Sequence, residues 1–550
     1  MKRRIIYMKT KIMLTCALAA LTTISCNDLD VDIKSQYTEY PIDSDIALEA
    51  RVSNAYYAFR APLNRRYDEL LSLSSDEYSA VCFNGGWLDG RQYSNCSTHS
   101  WEASANNNQL NVYSDILAGI TNCNQLLEDL GETNPETSNP VRAARAFYTF
   151  LLMDNFGDTP IVDYKLTQGS KTINRSPRAD VARWIESELL DVRDKCPSEV
   201  NESTYGTPTC WMVDALLAKL YINWNVYTQD VTSASWNPNA SNEKLDDCIA
   251  ACDRIIESGL FNLNDDYKEK FMYNNGPQIK DFIYAVPYEA TLNQGMCYAR
   301  YRTWRYGGAN GFYTTVLTPS CGGNFAMNPE FADLFCLPGD RRNDVVVGDP
   351  SKETTPVYEY DPVTGEVTNT PHMYEGKQVV FTKHITLIRE DGDLDVGADG
   401  TRQGYRSIKF YPDPNDYNVY ERNQDNDIPI FRYADIILTK CEAITRGGAA
   451  TLGDTPKSLF NQIRTYVSPN RDGSLDIDHD PSLQEILDER GREFLDEHWR
   501  RNDLIRFGDY ERAWGFKYIN PDNAQLTRRI FPLSQDVLNS NTNWKQNAGY

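Results

Sequence analysis

Beyond its first 26 positions this 550-residue chain has no apolar run of eighteen residues, so nothing in its body reads as a membrane-spanning helix. Histidine is scarce. The five present (His99, His372, His384, His479 and His498) include no two at metal-ligand spacing. H-E-x-x-H, G-x-S-x-G and the P-loop are all missing, and Gly400-Thr401-Arg402-Gln403-Gly404 is too loose to cradle a phosphate. These absences leave an enzyme reading well behind a binding one, with no catalytic residue, cofactor or metal called for. Positive charge is also short: the net charge is −23, residues 1–25 contribute +5, and the remainder therefore stands at −28. Such a body repels nucleic acid phosphates. Thirteen cysteines include no C-x-x-C, and Cys248 and Cys252 have core spacing on a predicted helix, so most are expected to be buried thiols, with one or two disulfides left open.

Aromatic residues are plentiful. They make up 12% of the chain, with 34 Tyr and 10 Trp, and mean hydropathy is −0.56. Flat amphipathic rings suit neutral, polar ligands such as sugars. The 78 carboxylates guarantee some Asp/Glu pair at glycosidase distance by chance, so their number does not argue for hydrolysis. Asp391-Gly392-Asp393-Leu394-Asp395 starts like a calcium loop, but Val396 stands where the turn needs Gly and Arg402 where the bidentate Glu belongs. A solvated acidic turn is the reading.

Residues 1–25 have a basic start and an apolar stretch at 12–24, the pattern of an export signal, with Met8 an alternative start. Thr23-Ile24-Ser25-Cys26 resembles a bacterial lipobox with Thr23 in place of the usual Leu, which makes Cys26 the lipidation candidate; a plain signal with an incidental cysteine is the alternative. Residues 26–43 read as a tether and 44–550 as one domain.

Within that domain, apolar residues recur at helical spacing over 44–63, 110–130, 139–156, 180–195, 208–227 and 242–259. Residues 64–108 break this period. From 281 to 429 the pattern is irregular and partly β, with Phe282–Val286 a strand and Thr364-Gly365 a hairpin turn. Two amphipathic helices follow within 430–510, the longest over 481–508, where Glu493, Glu497 and Arg501 form a polar stripe with favourable Glu-to-Arg spacing. Trp211, Trp224 and Trp499 fall on apolar helical faces and are assigned to the core.

Three motifs carry a family resemblance. Arg432-Tyr433-Ala434-Asp435 with Leu438 and Glu442-Ala443 resembles the R-Y-A-[DE]-x-x-L-x-x-x-E-A helix of the SusD/RagB family. Glu489-Arg490, Glu493-Phe494, Glu497, Arg500, Asp503-Leu504 and Arg506 match its E-R-x-x-E-F-x-x-E-x-x-R-x-x-D-L-x-R helix. The ending Phe531-Pro532-Leu533-Ser534, then Gln546-Asn547-Ala548-Gly549-Tyr550, is similar to its P-[IL]-P and Q-N-P-G-Y, with Ser534 and Ala548 replacing prolines. The resemblance implies a mainly α fold: a TPR-like helical solenoid (44–63, 109–260 and 430–510) with the insertion 281–429 forming the ligand-binding half. It also implies a lipid-anchored, outward-facing outer-membrane protein that captures oligosaccharide or polysaccharide for a SusC-like TonB-dependent transporter. A peptide-binding or structural partner of such a transporter, and a glycoside hydrolase, are the alternatives.

Two stretches combine rings with hydrogen-bonding rims. One holds Asn84, Trp87, Asp89, Arg91 and Tyr93; the other holds Trp304, Tyr306 and Tyr313. These are the candidate glycan-binding residues. Trp87 and Trp304 lead because each lies in or beside a glycine-rich turn.

Overall fold

The computed structural model describes residues 42, 44–82, 91–101, 108–131, 133–165, 173–302, 325–361, 363–374, 376–387, 395, 400–420, 422–517 and 525–550, and the backbone of 305–306 and 309–310. The chain divides into two units, Met1–Ala50 and Arg51–Tyr550. Helix α1 (Asp45–Tyr56) is followed by a short helical turn, Arg60–Pro62, one wide π-turn, Leu63–Tyr67, and α2 (Asp68–Ser74). Strand β1 (Tyr78–Ala80) and α3 (Gln92–Thr98) come next. The expected loss of period across 64–108 is thus corrected: Leu70, Leu71 and Leu73 of α2 are core residues. Arg65 and Arg66, ahead of that short apolar stretch, hid it.

Helices α4 (Val112–Leu130), α5 (Pro135–Phe156), α6 (Arg178–Val192), α7 (Cys210–Ile222) and α8 (Leu245–Ser258) then pack in chain order, α4 on α5, α5 on α6, and α7 on α8. Each buries its apolar stripe on a neighbour, as a helical solenoid requires. Gly119 sets the α4–α5 distance, because a Cβ there would lie 2.9 Å from the Tyr148 ring. Helix α5 opens on Pro135 and stops at Gly157, whose φ of 74° closes it. The helix expected over 208–227 breaks at Asn223 into α7 and a short turn, Trp224–Thr228. Trp224 and Trp499 are buried, whereas Trp211 is only half-buried, edge-on to Phe261.

Strand β2 (Phe282–Val286), α9 (Tyr298–Arg302) and β3 (Phe325–Met327) open the irregular region. Further on, β4 (Val346–Val347), β5 (Tyr358–Tyr360) and β6 (Val367–Pro371) follow; β5 and β6 form the hairpin predicted at Thr364-Gly365, with Gly365 at φ 64°. Every sheet among the described residues has two strands, and none closes. Strand β7 (Ile428–Arg432) returns antiparallel to β2 and runs straight into α10 (Tyr433–Thr445). Helices α11 (Pro456–Val467), α12 (Leu483–Glu493) and α13 (Arg500–Phe507) complete the order; capping boxes start α11 at Thr455/Ser458 and α12 at Ser482/Glu485. Ala434, Ile437, Leu438 and Cys441 of α10 meet Leu459, Phe460 and Ile463 of α11 and Ile486 of α12 in one apolar core. Among the described residues no helix is long and apolar enough to cross a membrane.

The helix expected over 481–508 is two helices. The chain turns between them with Asp496 at φ 64° and His498 at φ 67°, left-handed values that Asp and His tolerate better than most residues. Its predicted polar stripe is buried. Glu497 accepts from Arg432 (Nε–Oε2 2.8 Å) and Lys409 (2.6 Å), Glu493 accepts from Arg432 (2.9 Å) and Arg342 (3.1 Å), and Arg501 donates to the Arg529 carbonyl (2.8 Å). Asp281 closes the group on Arg432 and Lys270, both at 2.5 Å. A second buried set joins Arg506 to Glu442 and Asp503, and Arg490 to Asp503 and Asp435. The motif residues therefore build the frame. Buried charges on this scale are tolerable only because each is met by others.

Candidate functional site

Strands β1 and β3 pair antiparallel, with Tyr78 opposite Met327 and Ala80 opposite Phe325. Their order in the chain gives this small ribbon a special end. Residues 83–90, with Trp87, follow β1, and residues 303–324, with Trp304, Tyr306 and Tyr313, precede β3. Both stretches attach at the same end of the ribbon.

That end is fastened by a small apolar plug, Val81, Ala326, Leu387 and Phe516, with Ile385 against it. The four plug residues come from four separate segments. Each lies within two positions of a stretch of which little or nothing is described: 83–90, 303–324, 388–394 and 518–524. The third stretch comes back at Gly400, whose N–H donates to the Cys82 carbonyl (2.7 Å) and whose missing Cβ leaves room for Leu387 and Val81.

A polar clasp joins the bases of the two candidate stretches. Arg65, from the π-turn, donates Nη2 to the Tyr93 hydroxyl (2.9 Å), pairs through Nε with Glu69, and lies 4.8 Å from the Tyr301 ring centre. Tyr93 stands just past the first stretch and Tyr301 just before the second. Gln109 donates to the other Glu69 oxygen (2.9 Å). Burial opposes the Arg65 charge, but Glu69, Tyr301 and Tyr93 more than offset it and raise its pKa. The Glu69 carboxyl is raised by burial, with Arg65 pulling the other way.

Arg302 holds the second stretch from below. Buried at 2% exposure, it donates to Asp68 through Nη1 (3.0 Å) and Nη2 (2.5 Å), and to Asp496 through Nε (2.6 Å). Asp496 also accepts from Tyr78 (2.8 Å) and Ser407 (2.6 Å), and His498 Nε2 lies 2.9 Å from both Asp68 and the Tyr298 hydroxyl. Burial would raise the Asp68 carboxyl, yet Arg302 and His498 hold it down to about 2. Glu77, just before β1, makes no ion pair among the described residues: burial and the Asp496 charge push its carboxyl up to about 8, against the weaker pull of Arg302. The left-handed turn at Asp496 and His498 is what delivers these groups beneath the ribbon.

Of the predicted residues, Asn84, Trp87, Asp89, Trp304 and Tyr313 lie outside the described residues, as does Cys26. For Tyr306 the backbone alone is described, in a two-residue strand, Arg305–Tyr306, paired with Ala309–Asn310. Arg91 is half-buried at the start of α3, with φ 66°. Tyr93 is only 2% exposed; its ring does not present a face, and its hydroxyl positions Arg65. Sequence reasoning passed over Arg65, Glu69, Gln109 and Tyr301. Arg65 and Glu69 form a local pair four residues apart, but the contacts that mark them as part of the clasp, to Tyr93 and Gln109, span 28 and 40 residues of chain. Among the described residues no three His, Cys, Asp or Glu side chains are grouped to hold a metal; the acidic turn at 391–395 is described at Asp395 alone.

Comparison with known proteins gives one answer at both ends of the chain. Residues 280–550 match the family model described as "SusD family", and residues 29–222 match one described as "Starch-binding associating with outer membrane". The chain is 25% identical to the starch-binding protein SusD of Bacteroides thetaiotaomicron, covering 84% of this chain and 82% of that protein. Its fold is similar to that of a laminarin-binding SusD-like protein (TM-score 0.66, 19% identity, 92% of this chain and 100% of the other). It is also similar to that of surface glycan-binding protein A from Bacteroides uniformis (TM-score 0.66, 17% identity, the same coverage).

Proposed function

Because this chain belongs to the SusD family, we propose that it captures oligosaccharide or polysaccharide and passes it, uncleaved, to a SusC-like TonB-dependent transporter in the outer membrane. One observation supports the capture step above others: the stretches carrying Trp87 and Trp304 attach to the same end of the β1–β3 ribbon and are clasped there by Arg65. In this reading Trp87, Trp304, Tyr306 and Tyr313 offer rings to the C–H faces of sugars, and Asn84, Asp89 and Arg91 hydrogen-bond hydroxyls. Tyr93 holds the arrangement from below. The frame beneath resists distortion, so binding does not have to order the base of the site. Residues 1–25 direct export, acylated Cys26 anchors the protein, 26–43 form the tether, and 44–550 form one domain facing the cell exterior.

The reading is tested by equilibrium titration of residues 27–550 against a panel of polysaccharides and peptides. Saturable binding to one glycan class upholds capture. Binding of a peptide, with every glycan inert, replaces it with a peptide-binding partner of the transporter, and time-dependent release of reducing ends reopens hydrolysis.

A further inference from the structure

A groove of about 360 Å³ runs between β4, β5 and β6 and shares no residue with the β1–β3 ribbon. That volume falls within the range of small-molecule clefts, about 300–1,000 Å³. Its middle is apolar. Val346, Val347 and Gly348 line it together with Val357, Tyr358 and Tyr360 at β5, where the ladder with β6 is irregular. Gly348 admits this because a Cβ there would run into the Tyr405 ring beneath.

The two ends of the groove are polar. At one end Lys268 donates to the Gly365 carbonyl (2.5 Å) and pairs with Glu366 (3.1 Å), beside Asp344 and Asn343. At the other, Lys352 pairs with Asp349 (2.8 Å). Several groups there are unspent. Asn343 donates Nδ2 to the Leu337 carbonyl (2.7 Å), while its buried Oδ1 has no partner among the described residues. The Tyr358 hydroxyl and the Asp344 carboxylate likewise have no hydrogen-bonding partner among the described residues. Partial desolvation and the Glu366 charge raise the Asp344 carboxyl. By contrast, the open groove of about 340 Å³ beside Gly157 is lined by Arg178 and Asn547, whose side-chain donors are already committed to backbone carbonyls.

We propose that the β4–β6 groove is a second carbohydrate site, in which a neutral sugar ring lies on Tyr358 and its hydroxyls bond to Asp344 and Asn343. A strip of ring and aliphatic surface with acceptors at its ends matches the two kinds of surface a pyranose presents. The excess of acid at the Asp344 end, where Asp344 and Glu366 face one Lys268, disfavours anionic ligands. The proposal goes beyond the capture reading by adding a site, and it rests on that reading for the class of ligand. Two sites on one chain would hold a long polymer more firmly than a short one through effective concentration.

The test is calorimetric titration of residues 27–550 with maltohexaose and laminarihexaose, repeated on Tyr358→Ala, on Tyr358→Phe and on the Trp87→Ala/Trp304→Ala double variant, with thermal melts confirming each fold. We expect two hexasaccharides per chain in the parent and in Tyr358→Phe, and one in Tyr358→Ala. At the β4–β6 groove the Ala variant should bind about tenfold or more weakly, which corresponds to about 1.4 kcal/mol. Tyr358→Ala indistinguishable from the parent, with binding abolished in the Trp variant, overturns the second site and leaves the first standing. Binding lost in Tyr358→Ala but intact in the Trp variant upholds this groove and overturns the first. No binding by the parent overturns both.

Discussion

Ala80 and Phe325, 245 positions apart in the sequence, sit opposite each other at one end of the β1–β3 ribbon. The chain reaches Ala80 on its way into 83–90 and reaches Phe325 on its way out of 303–324. Two stretches far apart in sequence are thereby rooted side by side.

The first prediction concerns those stretches. Trp87→Ala/Trp304→Ala should weaken glycan binding by about 1–3 kcal/mol, since an aromatic face contributes about 0.5–1.5 kcal/mol beyond its buried area. That is about 5- to 150-fold in Kd. Titration reads it, and an unchanged melting temperature separates it from misfolding.

Arg65 should be hard to replace. Arg65→Ala leaves Glu69 without its charged donor and removes the link from Tyr93 to Tyr301, at a cost of about 1.5–3 kcal/mol for a charged hydrogen bond. Arg65→Lys should recover part of this at most, because an ammonium cannot serve Glu69 and Tyr93 while lying flat on a ring. Urea denaturation of the three proteins gives the order directly.

Removing Arg432 should be far costlier. Arg432→Met takes one buried cation from each of Asp281, Glu493 and Glu497, leaving them only Lys270, Arg342 and Lys409. Breaking a buried pair from one side typically costs about 3–5 kcal/mol. A melting temperature within a degree of the parent would contradict the frame described above.

The stability profile should carry the mark of Glu77. Its carboxyl is raised to about 8 in the folded protein, whereas an unfolded Glu titrates near about 4.3. Between those values the folded state binds the extra proton, so stability falls as pH rises. The contribution is fully present below the unfolded value and lost through the folded one. Glu77→Gln, which keeps a neutral side chain, should match the parent near pH 4 and gain on it steadily up to about pH 8. Asp68 works in the opposite sense: held down to about 2, it adds stability that is present above the usual Asp value and lost on acidification toward its own. Melts from pH 3 to 9 on both proteins test this.

Helical spacing was legible wherever one face is buried and the other wet, as in α4, α6 and α8. It misled where a polar stripe is buried too. Glu493, Glu497 and Arg501 have the spacing of a solvated helix face, but Glu493 and Glu497 meet Arg432 about sixty residues earlier, and no local pattern announces such a partner. The turn at 494–499 contains no Gly or Pro, and its only local sign is that Asp and His occupy the left-handed positions. The hairpin at Thr364-Gly365 was legible because a glycine at positive φ is its own signal. At the site, Trp87 and Trp304 stood out by composition, but Arg65 and Tyr301 did not, since both fall in stretches without a clear period and their partners in the clasp lie far along the chain.

The plug of Val81, Ala326, Leu387 and Phe516 has a consequence for how this protein could be remade. Each neighbouring stretch has its root fixed by a residue buried in the plug, so its length and composition can vary without disturbing that root. Doubling such a stretch adds only about 0.6 kcal/mol of closure entropy. New binding preferences could then be grafted stretch by stretch onto an unchanged mooring, much as tools are exchanged in a common chuck.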